Sequence, residues 1–204
     1  MPMKRAQQAL AALKAGNQRF IDEHQSPSGA ISGEKRMELT QGQKPFAVIL
    51  GCSDSRAPAE LVFDQGLGDL FVIRVAGNIV APSLIGSIEF SVAEFDTPLV
   101  VVMGHTECGA VTATLNDIKE PGVGVSHHIQ SIVRRIKPAV TPLTDLVGVD
   151  NVTVSQAVKA NVQKSVDQLL ASSDLLEDAL GSGKLNIVGA CYNISTGVVE
   201  FYDD

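Results

Sequence analysis

Hydrophobic positions along this chain switch between two periods, and the switch predicts where helices and strands lie. Met3, Ala6, Leu10, Leu13 and Phe20 fall at helical spacings, so the first twenty-odd residues are expected to form an amphipathic helix that docks on another surface. A polar stretch from Asp22 to Gly33, carrying Pro27 and Gly29, reads as a linker. Beyond it come short apolar runs at 46–50, 70–75, 99–103 and 185–190, with a further β-rich piece at 198–202. Their apolarity is continuous rather than alternating, which suits parallel strands covered on both faces. Helical patterns lie between them, at 58–63, 83–95, 109–115 and 127–136. Val158, Val162, Val166 and Leu169 make the clearest helical stripe, and Thr153 with Gln156 offers it a capping box. Strands alternating with helices predict an α/β fold: a central, mainly parallel β-sheet flanked by helices, with an N-terminal helical arm. A single domain spanning 1–204 is expected, with 1–33 as the arm and its linker.

Composition narrows where such a domain works. With 45% hydrophobic and only 19% charged residues, 204 residues can bury a sizeable core. A net charge of −7 gives no electrostatic footprint for nucleic acid or an anionic membrane, and the short basic stretch Arg134, Arg135, Lys137 reads as a solvated helix face. No run approaches the roughly 18 apolar residues of a membrane span. The N-terminal stretch lacks a continuous apolar segment, because Gln7, Gln8, Lys14 and Asn17 interrupt it. Three widely spaced cysteines make a poor disulfide framework, so a reducing, cytoplasmic location is expected.

Two of those cysteines carry the candidate chemistry. Cys52, Asp54 and Arg56 stand in G-C-S-D-S-R after the first apolar run, and His105 and Cys108 in G-H-T-E-C-G after the third. In an open parallel sheet, ligands bind beyond the carboxyl ends of the strands where the winding reverses, which in the flavodoxin-like order lies between the first and third strands. The two segments would meet there. If 52–56 is extended, Cys52, Asp54 and Arg56 share one side. If the chain turns helical after the third run, His105 and Cys108 share one face. Two thiolates and an imidazole select zinc, and three protein ligands leave a fourth position for water, as in a catalytic site. Asp54 has two options: occupy that fourth position and close the site, or pair with the Arg56 guanidinium and leave it open. Cys191 reads as a small apolar filler, and His24, His127 and His128 as solvent-facing residues.

With these residues in view, the chain resembles the β-class carbonic anhydrases over most of its length. The resemblance rests on C-S-D-S-R at 52–56, F-V-I-R-V-A-G-N at 71–78, S-I-E-F at 87–90 and G-H-T-E-C-G-A-V at 104–111. It implies Cys52, His105 and Cys108 as ligands of Zn2+, Asp54 with Arg56 as the catalytic dyad, and reversible hydration of CO2 to bicarbonate and a proton. It also implies Gln43, Phe71 and the Gly109 N–H as substrate-binding groups, and a homodimer or homotetramer whose subunits lend pocket residues to one another. Some members bind inhibitory bicarbonate between a Trp, an Arg and a Tyr. Arg74 and Tyr192 match the last two, but Ile49 stands at the Trp position, so the unregulated, open type is expected. The competing readings are a carbonyl sulfide or carbon disulfide hydrolase on the same scaffold, a closed non-catalytic zinc module, and a dithiol redox protein.

Overall fold

The computed structural model describes residues 2–25, 32–123 and 126–202. Five strands form one sheet in the order β2-β1-β3-β4-β5. They are β1 (Ala47–Gly51), β2 (Leu70–Arg74), β3 (Leu99–His105), β4 (Asn186–Tyr192) and β5 (Val199–Tyr202). The first four are parallel to their neighbours, and β5 returns antiparallel to β4. The chain runs outward from β1 to β2 and then back across β1 to β3, so the winding reverses between β1 and β3. The expected class, a mainly parallel sheet flanked by helices, is what the chain forms.

Continuous apolar strands follow from two covered faces. Side chains alternate along a strand, so Val48, Leu50, Val100 and Val102 enter one core layer, while Ala47, Ile49, Leu99, Val101 and Met103 enter the other. Helices α4 (Pro82–Phe95), α5 (Gly109–Lys119), α6 (His127–Val147), α7 (Val154–Ala171) and α8 (Asp174–Gly181) cover the first face through Ile88, Val111, Ile136, Val162 and Leu176. Helix α1 (Pro2–Ile21) and the short α3 (Ala59–Val62) cover the second with Leu13, Val62 and the adjoining Phe63. The small α2 (Gly33–Glu38) precedes β1. The capping box at α7 forms as read, with Gln156 N donating to Thr153 Oγ1 at 3.2 Å and Thr153 N to Gln156 Oε1 at 2.9 Å.

Several boundaries move from those expected. Strand β3 continues past Met103 through Gly104 and His105, because the ladder to β4 persists to the pairs Gly104–Cys191 and His105–Tyr192 even where apolarity stops. Helix α6 runs to Val147 rather than ending near Ile136, through Pro138 and Pro142. Each proline removes one backbone donor, and buried Ile136, Ala139 and Val140 hold the helix together across the gaps. The Thr141 hydroxyl takes up the Lys137 carbonyl at 2.9 Å. The linker at 22–33 lies partly outside the described residues, Pro27 and Gly29 included. His24, His127 and His128 are exposed as expected, and Lys137 turns back to Asp117 at 3.2 Å rather than into solvent.

Helix α1 is seated on its own chain by a polar residue that the apolar pattern discounts. Asn17 is buried; its Nδ2 donates to Val62 O at 3.1 Å and Gly197 O at 2.8 Å, and its Oδ1 accepts from Val199 N at 2.9 Å. Arg19 pairs with Asp64 at 2.5 Å, and Arg5 with Asp96. Gly16 lets the helix approach: a Cβ there would stand 1.8 Å from Phe63 O. Gly16→Ala is therefore expected to lower the melting temperature measured by circular dichroism, although Ala favours helix over Gly by about 1 kcal/mol. A higher melting temperature would show that α1 does not sit where this contact puts it.

Candidate metal centre

At the reversal point the two segments converge. Cys52 is the first residue after β1, His105 is the last of β3, and Cys108 is the N-cap of α5. Their ligand atoms all lie within 4.8 Å of one another, and all three residues are buried. Two details of the reading change. The stretch from 52 to 56 is not extended throughout: a turn begins at Asp54, closed by Ala57 N on Asp54 O at 3.0 Å. His105 and Cys108 are brought together by a tight turn between strand and helix, not by a shared helical face. Glu107 makes that turn with a left-handed φ of 58°.

The donor set fits a thiophilic divalent ion. His105 Nδ1 lies 2.7 Å from Thr106 O, a carbonyl that can only accept, so the proton sits on Nδ1 and Nε2 carries the lone pair. That Nε2 is buried beside the two sulfurs with no hydrogen-bond partner among the described residues. A buried acceptor left open costs about 1–3 kcal/mol; a metal ion would satisfy it. Cys52 holds the thiolate more readily than an ordinary thiol, because Cys108 S–H and the Gly77 N–H, 3.3 Å from Cys52 Sγ, both favour its charge over the opposing effect of burial. Cys108, donating to Cys52 and buried, is pushed the other way. A cation between them would remove that conflict and hold both as thiolates.

Asp54 and Arg56 take the open arrangement. Arg56 Nε donates to Asp54 Oδ1 at 2.9 Å and Nη2 to Oδ2 at 2.8 Å, while the Arg56 backbone N–H donates to Oδ1 at 2.9 Å. Arg56 Nη2 also reaches Glu107 O at 3.3 Å and so ties the two ligand loops together. Asp54 Oδ2 stands 3.8 Å from His105 Nε2, beside the donor cluster. The Arg56 guanidinium holds the Asp54 carboxyl far below the usual carboxylate range.

Arg74 has a use that the reading did not assign. Its Nε donates to Cys52 O at 2.9 Å and its Nη2 to Asp54 O at 2.5 Å, so it clamps the backbone that carries a donor and the dyad. Ile49 is buried within the sheet, and Tyr192 is buried against Phe20 at 6.4 Å between ring centroids. The R-V-A-G-N segment, which begins at the last residue of β2, was the available signal, since a strand neighbouring β1 must end beside Cys52.

Gln43 and Phe71 do not join the cluster within one chain. Gln43 lies four positions before β1, whose five residues span about 16 Å, so it sits at the opposite end of the sheet from Cys52. Phe71, the second residue of the edge strand, pairs with Val48, and its ring packs on Phe90 and Phe95 at 6.4 and 6.2 Å. Gly109, the first residue of α5, follows Cys108 directly and brings its N–H to the centre's edge. Cys191 is half-buried in β4 with its thiol pushed up by burial, apart from the cluster.

The family model described as "Carbonic anhydrase" matches residues 47–199 of this chain. The chain belongs to the carbonic anhydrase family. The carbonic anhydrase of Mycolicibacterium smegmatis is 42% identical over 98% of this chain and 95% of its own length. The β-carbonic anhydrase CafA of Aspergillus fumigatus superposes with a TM-score of 0.71 at 26% identity, covering 95% of this chain and 90% of that one. A tetrameric β-carbonic anhydrase of Sordaria macrospora shares the fold, with a TM-score of 0.72 at 21% identity over 83% and 86% of the two chains. The β-carbonic anhydrase fold and the Cys–His–Cys group agree with the family's dependence on zinc.

Arg74→Met keeps an apolar stem but loses both hydrogen bonds to the Cys52–Asp54 backbone. It is expected to weaken zinc binding about 10- to 100-fold, the usual effect of removing support behind a ligand, as measured by competition with a chromophoric chelator. Unchanged affinity would show that the loop holds its shape without the clamp.

Proposed function

We propose that this carbonic anhydrase hydrates CO2 reversibly to bicarbonate and a proton, with Cys52, His105 and Cys108 holding zinc and Asp54 with Arg56 as the catalytic dyad. The observation that carries this reading is the bidentate Asp54–Arg56 pair: the carboxylate best placed to close the metal centre is drawn onto the guanidinium instead. Zinc, when bound, supplies a Lewis acid at which water becomes a nucleophile near neutral pH. The protein's part is to leave room for that water and to orient it. Asp54 stands beside the donor cluster as an acceptor, and Arg56 keeps it ionised. A carboxylate held so low is protonated only well below the ordinary value near 4, so the pair's contribution is intact at neutral pH and is lost only in strong acid. Asp54 thus orients a proton rather than storing one. The Gly109 N–H, at the positive end of α5, would donate to a developing oxyanion.

Gln43 and Phe71 serve a neighbour's centre in this reading. Phe71 lies in the edge strand β2 and packs on half-exposed Phe90, and Gln43 lies in the segment leading into β1. A second copy paired along that edge would bring them to the partner's metal centre, and the tetrameric Sordaria relative supports assembly as a homodimer or homotetramer. The chain acts as one domain over 1–204, with 1–33 as its arm. Among the described residues no helix is long and apolar enough to cross a membrane, which with three free cysteines supports a cytoplasmic location.

A closed, non-catalytic zinc module is disfavoured by Arg56, which such a site would not need. Stopped-flow CO2 hydration between pH 6.5 and 9 tests the proposal. Wild-type protein is expected to turn over in proportion to its zinc, and Arg56→Ala to lose on the order of 100-fold or more, the scale of a positioned proton acceptor. Wild-type activity in Arg56→Ala would overturn the role given to the dyad.

A further inference from the structure

Behind Cys52 the chain makes an unusual turn. Ala76–Asn78 forms a single 3₁₀ turn after β2, with Gly77 at φ 71° and Asn78 at φ 42°, two left-handed residues in succession. Such backbone persists only where its surroundings hold it. A side chain on Gly77 would be strained by this positive φ, and its Cβ would meet Ile136 Cδ1 at 2.7 Å and Ala110 Cβ at 3.1 Å. The one hydrogen bond that the turn sends into the metal centre is Gly77 N–H to Cys52 Sγ, at 3.3 Å.

Helix α7 supplies what holds the turn. Its valine stripe lies on the glycines of β3 and β4: a Cβ on Gly104 would stand 2.6 Å from Val162, and one on Gly189 2.9 Å from it. That close approach fixes the helix at the end of β3. Beside the valines, one residue earlier in each turn, are two polar residues, Asn161 and Ser165, both only 2% exposed. Burying two polar side chains in an otherwise apolar helix face is costly unless each finds a partner. Asn161 Nδ2 donates to Gly77 O at 2.8 Å, and Ser165 Oγ to Asn78 O at 3.2 Å. Two successive carbonyls of the left-handed turn are therefore anchored on successive turns of one rigid helix.

We propose that Asn161 and Ser165 are positioning residues of the metal centre: by fixing the Gly77 and Asn78 carbonyls they aim the Gly77 N–H at the Cys52 sulfur. This rests on Cys52 being a zinc ligand. An N–H donor on a ligating sulfur withdraws charge from it and fixes its direction. Loss of the anchor lets the turn relax, swings the N–H away, and leaves a more electron-rich, less well-placed thiolate.

The test compares zinc affinity with the near-ultraviolet thiolate-to-cobalt absorption of the Co(II)-substituted protein, both well below each variant's melting temperature. Asn161→Ala is expected to bind zinc about 10- to 100-fold more weakly and to shift the cobalt band to longer wavelength. Ser165→Ala, which removes a single hydroxyl and carries the same test should Asn161→Ala fail to fold, is expected to move both readouts in the same direction. Ser165→Thr, which keeps the hydroxyl, is expected to restore them. Variants with lowered melting temperature but wild-type zinc affinity and an unmoved cobalt band would overturn the inference, reducing both residues to buried supports of the fold. Cys52→Ser separates the two levels: wild-type zinc affinity there would overturn the ligand assignment itself, whereas lost affinity there with unaffected Asn161 and Ser165 variants would overturn only the positioning role.

Discussion

Parallel pairing of β1 with β3 is the constraint on which the metal centre depends. Gly51 ends β1 opposite Met103 in β3, so the residue after β1 and the last residue of β3 emerge side by side although more than fifty positions separate them in sequence. The register decides the chemistry, since a slip of one residue would turn every strand side chain to the other core layer and carry His105 away from Cys52. That register is held by two apolar layers, one against α1 and α3 and a larger one against α4–α8. The sheet supplies the proximity, and the helices keep it from sliding.

Within this frame the loops are fixed by charge and backbone hydrogen bonds rather than by apolar contact. Arg74 holds the Cys52 and Asp54 carbonyls, Arg56 holds the Asp54 carboxylate and the Glu107 carbonyl, and Thr106 O sets the His105 tautomer. Each guanidinium spans two loops or two residues, a geometry that its planar fork allows and a lysine ammonium does not. The donors are thus held by the protein's own hydrogen bonds, with the buried His105 Nε2 among them.

The donors were legible in sequence because their chemistry is scarce: Cys52, His105 and Cys108 are unlike their apolar neighbours, and the alternation of strands and helices said where such residues meet. The Asp54–Arg56 pair was legible as a choice between two partners for the carboxylate, and here Asp54 is hydrogen-bonded to Arg56. Details set by tertiary context were not legible. The path of the chain from Cys52 to Asp54 depends on Arg74, which lies a strand away. Continuation of β3 to His105 depends on pairing with β4, and α6 passes two prolines because its apolar face is buried. Asn17 read only as an interruption of a continuous apolar segment, because a polar amide counts as polar whatever it bonds. Gln43 and Phe71 stand apart from the donor cluster within one chain.

The central claim is a zinc centre of two sulfurs and one nitrogen whose fourth position Arg56 keeps open. X-ray absorption at the zinc edge near pH 8, with and without added iodide, tests it most directly. The account expects two sulfurs at about 2.3 Å and two lighter neighbours at about 2.0–2.1 Å, one of which gives way to iodide. A four-ligand shell complete in protein atoms, into which iodide does not enter, would contradict it.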